Sequence, residues 1–305
     1  MLLICFLFSI FSQTGFVDIP NVNSLTQQSG YHSAARTTPV FRASRKVLRN
    51  ISTRPFPVVR DIPWGGHFSA KNFKTPSDKT ELSQIKKSIR TAVVNLPKEH
   101  VSILQNLEVK KERNVSRGMA NRQKMILHTD SIDSNKELIS VFVHEMGHLV
   151  DLGFFVGTRG ISTSFRDVKK IVLSDDRSLR FYRLSWVSSK RRKTLAVRAD
   201  FVSGYAMTDV FEDFAESYLF YRIHGEKFRL VMQESKILVS KYNFMKDVVF
   251  NGVEFQINKE TDFVSNMIFD ATLVQFEIGD FVAEGKRQLV ISNPSSFHYE
   301  ATGKQ

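Results

Sequence analysis

Apolar positions recur along this chain with changing period, and the changes divide it. Residues 1–11 are apolar almost throughout and lead into polar Ser12, Gln13, Thr14 and Gly15. From about 15 to 76 no period holds. Six of the eight prolines lie between Pro20 and Pro76, which predicts turns and extended backbone. Leu82, Ile85 and Ile89 then take the three-and-four spacing of a packed face, predicting a helix from near Ser77 to before Pro97. Residues 101–109 fit a strand or a short helix, 110–122 a polar basic connection, 124–128 a strand and 129–135 a turn.

Residues 138–152 are apolar on nearly every side, as expected of a buried helix. Ser134 and Glu137 form the capping-box pattern at its start, and Gly153 is a stop. A second helix is predicted over 209–222, with Asp209 and Glu212 as its capping box and Phe211, Phe214, Ala215 and Tyr218 as its stripe. In the long connection between them, Phe165, Val168, Ile171 and Val172 suggest a short helix, and residues 190–193 read as a basic loop. Helical spacing continues over 224–250 and ends in the turn signal Asn251-Gly252. Beyond it, runs such as 273–278 and 288–291 predict strands. The expected organisation is an apolar signal-like segment (1–16), a flexible basic linker (17–76), a mainly helical α+β domain with a small sheet (77–252), and a small β appendage with a tail (253–305).

With 42% hydrophobic and 24% charged residues the composition is that of a globular protein. The net charge of +12 adds a preference for anionic partners: nucleic acid, an envelope polymer, a membrane surface or an acidic substrate. A solvated basic surface is the bland alternative. Cys5 is the single cysteine, so a disulfide within the chain and a cysteine-rich metal site are both excluded. Any metal must be held by His, Asp or Glu. Residues 1–11 are shorter than the roughly 20 needed to cross a bilayer. They fit the apolar region of a secretory signal, although no Lys or Arg precedes Arg36. A secreted or envelope-associated protein is expected.

The chemistry centres on His144-Glu145-x-x-His148. On a helix, positions i and i+4 share a face, so both imidazoles reach one ion while Glu145 can deprotonate a bound water. Glu137, His144, His148 and Asp151 fall on the polar stripe of a helix that is otherwise apolar. Burying such groups is costly unless they have partners. In the second helix Glu212 and Glu216 are like charges at i,i+4, mildly destabilising unless a cation and its histidines face them. This assigns Glu212 as third metal ligand, Glu216 as the acceptor orienting a ligand histidine, and Tyr205 as oxyanion donor. A solvated acidic face is the alternative, with His128 or His224 then available as third ligand.

HEMGHLVD, followed by Tyr205-x6-Glu212-x-Phe214-Ala215-Glu216, resembles the lethal-factor-like zinc metallopeptidases, which include the anthrax lethal factor catalytic domain and the Pro-Pro endopeptidases. The resemblance covers roughly residues 96–250. It implies a zincin-type fold, one catalytic Zn²⁺ on His144, His148 and Glu212, Glu145 as general base and Tyr205 as catalytic aid. Asp151 also matches, and Asp151 with Phe154 departs from the metzincin pattern. The 64-residue separation of His148 and Glu212 is longer than in those relatives. The expected activity is that of a monomeric zinc endopeptidase acting on a protein or peptide, with an anionic envelope surface as a further partner and no nucleic acid. The rival is a basic envelope- or nucleic-acid-binding protein carrying an inactive zincin-like module.

Overall fold

A computed structural model describes residues 66–113, 115–256 and 268–292. The signal-like segment, the linker up to residue 65 and the 293–305 tail lie outside them. The fold is α+β. A four-stranded sheet has the order β1-β2-β4-β3, built from β1 (His67–Lys71), β2 (Asn106–Lys110), β3 (Gly118–Asn121) and β4 (Lys124–His128). β1, β2 and β4 run parallel, and β3 is antiparallel to β4 at the edge.

α1 (Pro76–Val94) crosses from β1 towards β2. Thr75 accepts from the Asp78 amide at 3.2 Å and Asp78 accepts from the Thr75 amide at 2.7 Å, a complete capping box with Pro76 in the first turn. After the single turn α2 (Lys98–Val101) and strands β2 to β4, α3 (Asn135–Leu149) begins at Ser134, which accepts from the Glu137 amide at 3.1 Å. The reciprocal half of the expected box is absent. Glu137 instead accepts from the Asp133 amide and from Arg117. Every residue from Leu138 to Leu149 is buried, and the helix passes into a π-helical turn, Val150–Phe154.

Two hairpins follow: β5 (Ser162–Asp167) with β6 (Lys170–Leu173), then, after α4 (Leu179–Ser185), β7 (Trp186–Ser188) with β8 (Arg191–Arg192). α5 (Val210–Ile223) is buried along its whole length and packs on α3. α6 (Gly225–Val231), α7 (Lys236–Phe244) and α8 (Ile278–Ser292) complete the helices. Among the described residues no helix is long and apolar enough to cross a membrane.

Fourteen of the 26 phenylalanines are buried in the core. Phe155, Phe181, Phe214 and Phe244 meet edge to face or tilted at 5.3–6.4 Å around α5, an arrangement worth about 0.5–1.5 kcal/mol per pair beyond the area buried. Lys241 and Asp213 form a fully buried ion pair at 2.7 Å in the same core. Trp186 Nε1 donates to Asp213 at 2.8 Å and the Asp200 carbonyl accepts from Lys241 at 2.7 Å. Asp213 therefore pins the back of α5 while its neighbour Glu212 points the other way.

Four expectations are corrected. Residues 67–71, expected in the linker, form β1, because pairing with β2 supplies hydrogen bonds that local sequence does not announce. The basic connection 110–122 contains β3, a four-residue strand read only through β4. The short helix expected around 165–172 is the β5–β6 hairpin, which turns at Val168 with φ +52°. The β character expected of 253–305 fails in its described part, where residues 271–273 form a 3₁₀ turn and 278–292 form α8. Phe281 of α8 is buried beneath the Arg222 guanidinium, 4.2 Å from its ring centroid, and Gly285 abuts Asn95. The run 288–291, which ends in β-branched Val290 and Ile291, is thus carried in a helix by tertiary packing, which overrides strand propensity.

Candidate metal centre

α3 and α5 cross at Gly147 and Ala215, and the crossing sets the distances at the site. His144 and His148, one turn apart on α3, direct Nε2 at the same oxygen of Glu212 in the first turn of α5. The separations are 3.2 Å from His144 and 3.4 Å from His148 to Glu212 Oε2. One donor atom from each residue lies within 4.8 Å of the others, and all three residues are buried. This group can hold a metal ion. Among the described residues, His128 and His224 stand outside it. His128 Nδ1 meets the Ser116 carbonyl at 2.6 Å, and the His224 ring packs on Phe220 and Phe276.

Asp209 caps α5, accepting from the amides of Phe211 and Glu212 at 2.9 Å each. Glu212 does not return to the cap, because its carboxylate is turned towards the histidines. Glu216, one turn on, accepts from His144 Nδ1 at 2.9 Å and so leaves Nε2 facing Glu212. Its other oxygen accepts from Ser203 Oγ at 2.5 Å and from the Ala271 amide at 2.9 Å. The acidic cluster of α5 is therefore buried and separately partnered, and the solvated acidic face is overturned.

Burial opposes charge on His144, but hydrogen bonds to Glu212 and Glu216 outweigh it and hold its pKa well above the ordinary imidazole range. His148 is likewise raised against burial, mainly by the Glu212 charge. Glu212 is held well below the carboxylate range, since His148 and His144 outweigh its burial. A divalent cation held here would compete with protons for the two rings.

Glu145 faces a small, partly open cleft lined by Arg117, Gly118, His144, Tyr205, Asp270 and Thr272 among others. Burial raises its pKa against the pull of both histidines. Its Oε2 is buried with no hydrogen-bond partner among the described residues, an orphaned acceptor aimed at whatever fills the site. Gly118 of the edge strand leaves room for this carboxylate, because a β-carbon there would lie 2.3 Å from Glu145 Oε1.

Tyr205 begins a 3₁₀ turn (Tyr205–Met207) and lines the same cleft, its ring 6.2 Å from that of His144. A strap from the C-terminal part holds it there. The Gly204 and Tyr205 amides donate to the Ile268 and Phe269 carbonyls at 2.9 and 2.6 Å. Asp270 on the strap pairs with Arg117, which also binds Glu137 at 2.6 Å.

Asp151 is buried in the π-helical turn and accepts from the Tyr182 hydroxyl at 2.6 Å. Burial and the nearby Asp176 push its pKa well above the carboxylate range, and the His148 charge acts against that shift. The structure thus brings His144, Glu145, His148, Tyr205, Glu212 and Glu216 into one site, with Asp151 on its flank. Sequence reasoning missed Ser203, Gly118, Arg117, Asp270 and the Ala271 amide. Only Ser203, two residues before Tyr205, lay near a motif. No protein-family model and no curated protein matches this chain.

Proposed function

We propose that this chain is a zinc endopeptidase of zincin type, related to the lethal-factor-like metallopeptidases. The observation that carries the reading is the convergence of His144 and His148 Nε2 on one Glu212 oxygen, beside a buried Glu145 with an orphaned oxygen. Two imidazoles and one carboxylate are the donor set of catalytic zinc, which keeps a position open. The same donors serve non-haem iron oxygenases, but a Glu directly after the first histidine is the general base of the zinc-hydrolase motif.

A zinc ion held by these residues would supply Lewis acidity to water and to the scissile carbonyl. Glu145 then accepts the proton of the attacking water and delivers it to the leaving amine. Its raised pKa brings it nearer to the working range of a general base. Tyr205 offers its hydroxyl to the oxyanion. Glu216 and Ser203 keep the His144 ring in register. A peptide laid along the edge strand β3 gains backbone hydrogen bonds and brings its carbonyl past Gly118 to Glu145.

The test is Glu145→Gln, assayed for bound metal and for new N-termini in a peptide library. The expected result is one zinc per chain with hydrolysis reduced by about 10²–10⁴-fold, the usual range for a general acid–base group. Hydrolysis at the wild-type rate would sink the mechanism, and iron in place of zinc would sink the reaction class.

A further inference from the structure

Residues 158–200 carry twelve Lys and Arg against four Asp and no Glu, a net +8 within a chain of net +12. The carboxylates of this stretch do not offset that charge at the surface. Asp167, Asp176 and Asp200 are buried, and Asp175 binds the amides of Thr158 and Arg159 at 2.9 and 2.8 Å. The exposed charge of the two hairpins is therefore almost wholly positive.

The hairpins are mounted side by side. Ser164 Oγ donates to the Val187 carbonyl at 2.6 Å, the Arg166 amide donates to Ser189 Oγ at 2.6 Å, and Ser189 Oγ donates to the Arg166 carbonyl at 2.8 Å. Both strands advance in the same direction through these contacts. The turns that follow β5 and β7 thus come out at the same end. That end carries Arg166, Lys169, Lys170, Lys190 and Arg191, all exposed. Lys190 pairs with Asp209 at 2.7 Å yet stays 77% exposed, and the Val210 amide donates to the Ser189 carbonyl at 3.0 Å. The basic end is thereby latched to the start of α5.

Val168 stands among these charges. It is 51% exposed and occupies φ +52°, a region where a β-branched residue is strained and Gly or Asn is not. An apolar side chain held on a strained turn between basic residues is a poor solubility device. Ile161, Leu195 and Val197 are the other strongly exposed apolar groups of this stretch, and all are aliphatic. Its aromatic residues Phe165, Phe181, Tyr182 and Trp186 are buried, so no platform for stacking bases is presented. Val168, an aliphatic tip among Lys and Arg, suits the boundary between lipid phosphates and acyl chains.

We infer that the paired turns of these hairpins dock on an anionic lipid bilayer, with Val168 entering the headgroup layer and the surrounding basic side chains meeting lipid phosphates. This goes beyond the peptidase reading and does not rest on it.

The experiment is co-sedimentation of the full chain with vesicles of phosphatidylcholine and phosphatidylglycerol in equal parts, and with vesicles of phosphatidylcholine alone. A single-stranded oligonucleotide serves as a second anionic probe. Binding to the mixed vesicles only is expected. Lys169→Gln, Lys170→Gln, Lys190→Gln and Arg191→Gln together should weaken it by about a hundredfold or more. Val168→Asn keeps every charge and relieves the turn, so it should fold. It should lose about tenfold in vesicle affinity and nothing on the oligonucleotide. Equal binding to neutral vesicles, full affinity in the fourfold variant, or unchanged vesicle affinity in Val168→Asn would each overturn the inference. An oligonucleotide that binds more tightly than the vesicles, through these same residues, would reassign the surface to nucleic acid.

Discussion

Gly147 of α3 and Ala215 of α5 touch where the two site helices cross: a β-carbon on Gly147 would stand 2.8 Å from the Ala215 Cα and 3.1 Å from the Tyr218 Cβ. The neighbours are backbone and a buried ring stem, so neither can swing aside. The crossing places Glu212 of α5 opposite His144 and His148 of α3.

Gly147→Ala should push the helices apart. Overpacking of this kind costs about 1–3 kcal/mol. The larger consequence falls on the site, because a shift of a few tenths of an ångström at Ala215 carries Glu212 with it. Zinc affinity should fall along with stability. Thermal unfolding with and without zinc, together with titration against a chromophoric chelator, measures both. Unaltered zinc affinity would mean that the crossing does not set the ligand spacing.

Ser203 and Glu216 act through His144. Ser203→Ala removes one of the two donors to Glu216 Oε2 and leaves the Ala271 amide. Glu216→Ala removes the acceptor of His144 Nδ1 altogether. Groups behind metal ligands are typically worth about 10–100-fold in metal affinity. The expected order of affinity is wild type, then Ser203→Ala, then Glu216→Ala, with Glu216→Gln partly restoring the last. A structural role alone would lower stability without producing this order or the rescue.

The Lys241–Asp213 pair is fully buried, and removing one partner strands the other. Lys241→Met should destabilise the protein by about 3–5 kcal/mol. The double variant Lys241→Met with Asp213→Leu should cost less than the sum of the single changes, though Trp186 Nε1 then loses its acceptor. Chemical denaturation of the three variants gives the coupling. Strict additivity would show that the pair is not a unit.

His100 and His224 set a pH dependence. Burial lowers the His100 pKa from 6.5 to about 4 and the His224 pKa from 6.5 to about 3. Between those values the unfolded chain binds more protons than the native one, so stability falls as pH drops below about 6.5. Burial acts oppositely on Asp176 and Asp213, raising each from 3.8 to about 6, so these favour the native state as pH falls through that window. The variant isolates one contribution. In His224→Phe the stability at about pH 5 relative to that at about pH 7 should be higher than in the wild type, by on the order of 1–2 kcal/mol. Urea midpoints at the two pH values test this, and an unchanged difference would mean that His224 titrates normally in the native state.

The sequence by itself determined the two site helices and the residues facing one another across them. The signals are local: Ser134 and Asp209 as caps, residue spacings within one turn, and apolar positions on nearly every side of residues 138–149. Helical hydrogen bonds close within four residues, so such information is written where it is used. Tertiary structure alone decided the rest. β1 and β3 exist through pairing with β2 and β4, and the 288–291 run became helical because α8 packs Phe281 under Arg222. The Ile268–Ala271 strap reaches Tyr205 and Glu216 across more than fifty residues of chain, through backbone groups that every residue type carries. A backbone donor has no letter of its own. The motif therefore showed which side chains gather at the site, and only the fold showed what holds them in place.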